Sequence, residues 1–308
     1  MIVYSSLMDA IAGLLDGPRA RGAFLLRSSM DPPWSLLIRD EAPLCVVAVV
    51  RGQAWVAGTF LQAGDVAVVR GPDHYVVADE PGREPLMHIL PGERCVTPDG
   101  AEVKPMSDLG VRLWGNARDG ATQLVTGTYL LEGEVSGRLL RALPPLLSLR
   151  LDSPLVDLLA AEIVKDAPGQ EAVLDRLLDL LLIATLREWF AREDAPGWYR
   201  AYEDPVVGPA LRLLHHEPAR SWTVAELARA VGVSRAALAR RFNELVGEPP
   251  MAFLTGWRIA LAADLLREPG TTIGAVAEQV GYGSPFALST AFKRVRGVSP
   301  AQYRAAAA

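Results

Sequence analysis

Two stretches of the 308-residue chain decide its reading: Thr223-Val-Ala-Glu-Leu-Ala-Arg-Ala-Val-Gly-Val-Ser234 and Thr272-Ile-Gly-Ala-Val-Ala-Glu-Gln-Val-Gly-Tyr-Gly-Ser284. They align at a shift of 49 residues up to the glycine and of 50 from the serine onward. The match continues through Leu238 with Leu288, Phe242 with Phe292, Gly247 with Gly297, Pro250 with Pro300 and Phe253 with Tyr303. Self-similarity of this order, with a single slip, marks a duplicated structural unit.

Each copy reads as helix, tight turn, helix. Thr223 is placed to cap the first helix, and Glu226 three residues on completes a capping box. Val224, Leu227, Ala228 and Val231 then face inward. Ala228 and Ala277 stand four residues before Gly232 and Gly281, so small side chains permit a close crossing and the glycines supply left-handed turns. Ser234 and Ser284 cap the following helices, with Pro285 at a first helical position where its missing N–H does no harm. Between the copies, Phe253, Trp257, Ala260, Leu261 and Leu265 recur at helical spacing over Pro249–Arg267, a helix of about 28 Å. That is close to the ~34 Å pitch separating major-groove faces on one side of DNA.

Charge divides along the same line. Residues Met1–Glu203 hold 19 basic and 28 acidic side chains, whereas Asp204–Ala308 hold 12 and 8, within a net −5. A basic rear half fits nucleic-acid binding confined to that half.

Further forward the period is two. Runs at Ser35–Ile38, Leu44–Val50, Gln53–Ala57, Asp65–Val69, His74–Val77, Leu86–Leu90 and Leu124–Leu130 alternate with Gly, Pro and Asp turns, which predicts a small antiparallel β-domain. From Ser136 the spacing becomes helical: Leu139, Leu140 and Leu143, then Leu155, Leu158, Leu159 and Ile163, then the apolar face of Glu171–Arg192 with Leu174, Leu177, Leu178, Leu181 and Leu182. That face is expected to pack on the chain's own β-domain or on a second copy. The sequence predicts three parts: 1–133, a β-domain; 134–203, a helical linker segment; and 204–308, a helical domain, to which the resemblance below adds the roles of sensor, dimerisation and DNA binding. No run is long enough to span a membrane and no secretory pattern opens the chain, so a cytoplasmic protein is expected.

The rear half resembles the AraC/XylS family of transcriptional regulators over about Pro205–Tyr303. The most specific piece runs from Val280-Gly-Tyr-Gly-Ser-Pro-Phe-Ala-Leu-Ser-Thr-Ala-Phe-Lys-Arg through Gly-Val-Ser-Pro-Ala-Gln-Tyr-Arg304. The front half resembles the cupin-like sensor domain of many members, which implies a β-barrel followed by dimerisation helices. The resemblance implies two helix-turn-helix motifs on double-stranded DNA, a homodimer, a small-molecule effector and, for an activator, contact with RNA polymerase.

It places Arg235, Ala236, Ala239 and Arg240 toward the groove in the first recognition helix, and Ser284, Pro285, Phe286, Ser289 and Thr290 in the second. Arg240 is the candidate for bidentate readout of guanine, and Phe286 for contact with a thymine methyl. Arg241, Lys293, Arg294 and Arg296 are assigned to phosphates. Thr290 departs from the family pattern, where arginine is common, so the second helix is expected to read weakly or through shape.

Trp34, Trp55, His74, Tyr75 and His88 are candidates for an effector pocket. A metal-binding cupin needs a histidine cluster after its first strands, and Leu37–Trp55 contains no histidine, so neither metal nor cofactor is expected. Cys45 reads as a buried hydrophobe, while Cys95, placed in a loop after Arg94, is a redox candidate. No phosphate-binding glycine loop or serine elbow is present, which speaks against an enzyme. A cupin-type enzyme with a vestigial helical domain and a ligand-independent DNA-binding protein are the alternatives left open.

Overall fold

The computed structural model describes residues 23–92, 94–103, 109–129, 140, 143–192, 197–267 and 270–307. Its described residues divide into two compact units, one holding 23–129 with 140–189 and the other holding 190–307. The expected segment 134–203 is thus shared, its 143–189 part lying with the sheets and its 197–203 part with the rear helices.

The first unit stacks two six-stranded sheets. One has the order β10 (Leu113–Gly115), β1 (Phe24–Met30), β11 (Thr122–Tyr129), β3 (Leu44–Arg51), β6 (Asp65–Arg70) and β12 (Leu146–Arg150). The other runs β5 (Thr59–Gln62), β4 (Gln53–Val56), β7 (Tyr75–Ala78), β2 (Ser35–Ile38), β8 (Met87–Leu90) and β9 (Arg94–Val96). Two expectations are corrected here. Each sheet keeps two edge strands and does not close into a barrel, and the pairs β1–β10 and β2–β8 are parallel. The seven expected strands all form, and β12 occupies part of the run read as helical.

The core between the sheets follows from alternation: Val47 and Val49 of β3, Ala54 and Val56 of β4 and Val77 of β7 all point inward. Helices α1 (Leu155–Glu162) and α2 (Gln170–Phe190) belong to this unit. Leu174, Leu178, Leu181 and Leu182 of α2 are buried, and an added Cβ at Gly127 of β11 would lie 2.4 Å from a methyl of Leu178. Asp179 of the same helix accepts a hydrogen bond from the Tyr129 hydroxyl at 3.3 Å. The leucine face therefore packs on the chain's own sheet.

The rear unit is helical: α3 (Gly197–Glu203), α4 (Val207–His216), α5 (Val224–Ala230), α6 (Arg235–Val246), α7 (Pro250–Arg267), α8 (Ile273–Gln279), α9 (Pro285–Arg296) and α10 (Pro300–Ala307). The 18-residue helix α7 serves two cores. Its Phe253 and Leu254 join Leu227, Leu238 and Phe242, whereas Ile259, Ala262, Ala263 and Leu266 join Val276, Leu288 and Phe292. Arg258, midway, donates to the carbonyls of Pro218 at 2.6 Å and Arg220 at 2.8 Å.

Candidate nucleic-acid interface

The two helix pairs α5–α6 and α8–α9 are built by the same local chemistry. Thr223 accepts the Glu226 N–H at 3.2 Å while the Glu226 carboxylate accepts the Thr223 N–H at 2.9 Å, a complete capping box. The Thr223 hydroxyl, which donates to the same carboxylate at 2.7 Å, and the Thr223 N–H hold the Glu226 carboxyl below the usual range. Thr272 caps α8 through the Ala275 N–H at 3.1 Å, and with alanine in place of glutamate the reciprocal bond is missing.

Both short helices end alike. Val233 and Tyr282 donate to the carbonyls of Ala228 and Ala277 at 3.0 and 2.8 Å, closing a Schellman turn over Gly232 at φ 74° and Gly281 at φ 81°. Ser234 and Ser284 then cap α6 and α9 by accepting the N–H of Ala237 and Ala287. With Leu238 and Phe242 of α6 and Leu288 and Phe292 of α9 buried, rotation about each helix is fixed and the opposite faces are left outward.

On α6 the outward face carries Arg235, Ala236 and Arg240, with Ala239 half-buried beside them. The Arg240 side chain is 77% exposed, and its nearest acid, Glu244, stands 3.9 Å away, a loose pair that leaves the guanidinium available. On α9 the outward face carries Ser284, Pro285, Phe286, Thr290, Lys293 and Arg294, with Ser289 half-buried. Phe286 is 81% exposed, far more than a large apolar side chain in a folded core would be. The hydroxyls of Ser289 and Thr290 donate to the carbonyls of Pro285 and Phe286 at 2.8 and 3.0 Å, so their protons are committed to the helix itself.

The stretch 9–191 matches a family model described as cupin, and 227–306 one described as a helix-turn-helix domain. An AraC-like transcription regulator of Streptomyces lividans is 34% identical over 253 residues, which cover 79% of this chain and 79% of its own length. This chain belongs to the AraC family of transcriptional regulators. A second AraC-like regulator, from Streptomyces antibioticus, is 38% identical over 215 residues, covering 67% of this chain and 70% of its own. The chain is a DNA-binding regulator of the AraC type with an N-terminal cupin domain, and its relatives are regulators rather than enzymes.

Arg241, assigned to phosphate from the sequence, is engaged within the chain. Arg241 is bound by Asp204 through Nε at 2.8 Å and a terminal nitrogen at 2.6 Å. Asp204 is itself fixed, accepting the N–H groups of Val206 and Val207 at the start of α4, and Arg241 holds its carboxyl below the usual range. The Arg241 guanidinium is thereby directed onto the chain. Arg304 donates to the carbonyls of Leu266 and Thr271 at 3.0 and 2.6 Å and ties α10 to the end of α7. Arg296 lies 5.2 Å from the Tyr303 ring.

In the cupin unit a cavity of about 400 Å³ lies between the sheets. Of the five residues expected to line an effector pocket, Tyr75 faces this cavity. The period of two explains the others. Ile89 faces the cavity, so its neighbour His88 does not; Ala54 and Val56 point into the core, so Trp55 turns out and packs on Phe60 at 5.5 Å. His74 is exposed ahead of β7, and Trp34 is packed in the core.

Arg112 and Asp40 line the cavity and were missed, since they lie outside the strands where periodicity carries no signal, and Thr126, in the middle of β11, lines it too. Cys95 lies in β9 rather than in a loop and forms part of the cavity wall, while Arg94 beside it pairs with Glu102 at 2.9 Å. Cys45 is buried, and that burial pushes its thiol up to about 11, as expected of an inert hydrophobe. No cluster of metal-ligating side chains occurs among the described residues, and none of the described helices is long and apolar enough to cross a membrane.

Proposed function

We propose that α5–α6 and α8–α9 are two helix-turn-helix units that seat α6 and α9 in adjacent major grooves of double-stranded DNA. The observation that carries this is the duplication of caps, turns and buried residues, which presents Arg235 and Arg240 on one helix and Phe286 and Thr290 on the other, each on an outward face. Arg240 reads guanine by paired hydrogen bonds, Phe286 meets pyrimidine methyl groups, and Lys293 and Arg294 bind phosphate. Arg241 acts chiefly as a brace between α6 and the start of α4.

The cupin unit receives a small-molecule signal, and the regulator works in the cytoplasm as a homodimer. Val173 and Leu180 support the dimer: they are 46% and 49% exposed, seven residues apart on the face of α2 turned away from its sheet. An activating member would also touch RNA polymerase.

The test is selection of random duplex DNA by the full-length protein, with Arg240→Ala in parallel and salt titrated. The expected result is an enriched motif that the variant relaxes at one position, with affinity falling as salt rises. Enrichment indifferent to Arg240→Ala would remove the assignment of that side chain.

A further inference from the structure

We propose that the cavity between the sheets takes a small monocarboxylate with an apolar body, its carboxylate held by Arg112. This rests on the reading that the cupin unit receives the signal, and it adds the chemistry of what is received.

Size comes first. At about 30 Å³ for each water-sized group, a cavity of about 400 Å³ admits roughly a dozen non-hydrogen atoms. The walls come next. Leu36, Ile38 and Val77 from one sheet and Leu26, Val47 and Leu124 from the other face each other across it. Ser28, Tyr75, Thr126 and Thr128 add hydroxyls to the wall, but apolar side chains outnumber them, so the body of the ligand is mainly hydrocarbon, alkyl or aryl.

The head group follows from the charges. Arg51, Arg83, Arg94 and Arg150 of the same unit each have a carboxylate within reach, in Asp119, Asp79, Glu102 and Asp65. Half-buried Arg112 forms no ion pair among the described residues, although it lines the cavity. Its backbone is nevertheless held: the carbonyl accepts the Arg27 N–H at 2.9 Å, and φ is 48°, a left-handed conformation that a residue with a side chain adopts at a cost. A planar guanidinium fixed at its root, partly withdrawn from water and lacking a carboxylate, matches a carboxylate in paired geometry.

Asp40 also lines the cavity, and its carboxylate accepts the Ala42 N–H at 3.2 Å. Its charge disfavours a second anionic group. The ligand therefore carries one carboxylate and neither two nor a phosphate.

The experiment is calorimetric titration of the full-length protein with octanoate, octanol, octylamine and octanedioate, repeated with Arg112→Gln and Arg112→Lys, while DNA affinity is followed separately. Octanoate is expected to bind about 10- to 100-fold more tightly than octanol, the range a charge-assisted pair supplies. Octylamine and octanedioate are expected to bind no better than octanol. Arg112→Gln removes the preference for octanoate, and Arg112→Lys restores part of it.

Equal binding of octanoate and octanol, tighter binding of octylamine, an unchanged preference in Arg112→Gln, or no binding by the wild type would each overturn the proposal. The ligand series on the wild-type protein decides the matter even if a variant fails to fold. Binding of octanoate that depends on Arg112 but leaves DNA affinity unchanged supports the ligand class and sinks the signalling role. Octanol that binds regardless of Arg112 and shifts DNA affinity does the reverse.

Discussion

The two helix pairs of the rear unit share a frame and differ in what they show. Ser234 and Ser284, Gly232 and Gly281, Leu238 and Leu288, and Phe242 and Phe292 occupy matching places with matching bonds. Their outward faces diverge, with Arg235 and Arg240 on α6 against Phe286 and Thr290 on α9. Duplication has preserved the capping serines, the turn glycines and the buried Leu and Phe that set the direction of these helices and released the residues that the helices carry outward. The frame and the message are chemically separable, because caps and buried apolar groups fix geometry without using the exposed side.

The largest test of that equivalence lies in the cores. Phe242→Ala and Phe292→Ala should each destabilise the protein by about 3–5 kcal/mol, as removal of a fully buried aromatic ring does. Denaturant unfolding of the full chain reads the cost, and a loss near 1 kcal/mol for either would show that the pairs are not held alike.

The turns should break the symmetry. A Cβ at Gly232 meets nothing within 4 Å, whereas one at Gly281 falls 2.4 Å from the Ala219 carbonyl oxygen. Both positions carry the left-handed penalty, so Gly232→Ala should cost about 1 kcal/mol and Gly281→Ala about 2–4. Equal melting temperatures for the two variants would contradict that close approach.

On the reading faces, Arg240→Ala should cost about 1–3 kcal/mol of binding to the preferred DNA and relax one base position. Phe286→Ala should cost less and act where a pyrimidine carries a methyl group. Binding to duplexes with uracil in place of thymine checks this, because the wild type should lose affinity there and Phe286→Ala should not.

The smallest difference lies in the caps. Thr223→Ala and Thr272→Ala should each cost about 1 kcal/mol at neutral pH. Only the first involves a carboxylate, and the folded state lowers its pKa. The contribution of Glu226 is thus present above the unfolded carboxyl value and lost as pH falls through the folded one. The Thr223→Ala penalty should shrink below about pH 4, while that of Thr272→Ala stays level.

Much of the rear unit was legible because its signals are local. A threonine with glutamate three residues on, a glycine after a small-residue helix, and a serine before the next helix each act within one turn of chain. The front half was legible only in part. Seven strands showed as alternating runs, but β1 hides behind buried Ser28 and Ser29, and β12 lies in a leucine-rich stretch that suits either period. β5 follows a two-residue turn made by Ala57 and Gly58, both at positive φ, where asparagine–glycine would have announced a hairpin. Parallel pairing and sheet closure depend on partners far apart in sequence, and no local pattern encodes them. The cavity eluded the sequence for the same reason: aromatic residues suggested a pocket, but strand parity decides which side each one takes.

The contact of Gly281 with Ala219, together with Arg258 bonded to the carbonyls of Pro218 and Arg220, joins the second helix pair to the connection between α4 and α5. On the proposed seating of α6 and α9 in adjacent grooves, such a joint would act as a gauge of helical phase. One base pair inserted between the two half-sites would carry the second away by about 3.4 Å and turn it by roughly 35°. A pair of reading heads on a loose tether would absorb that change, whereas this one should refuse the lengthened site and tolerate substitutions in the same gap.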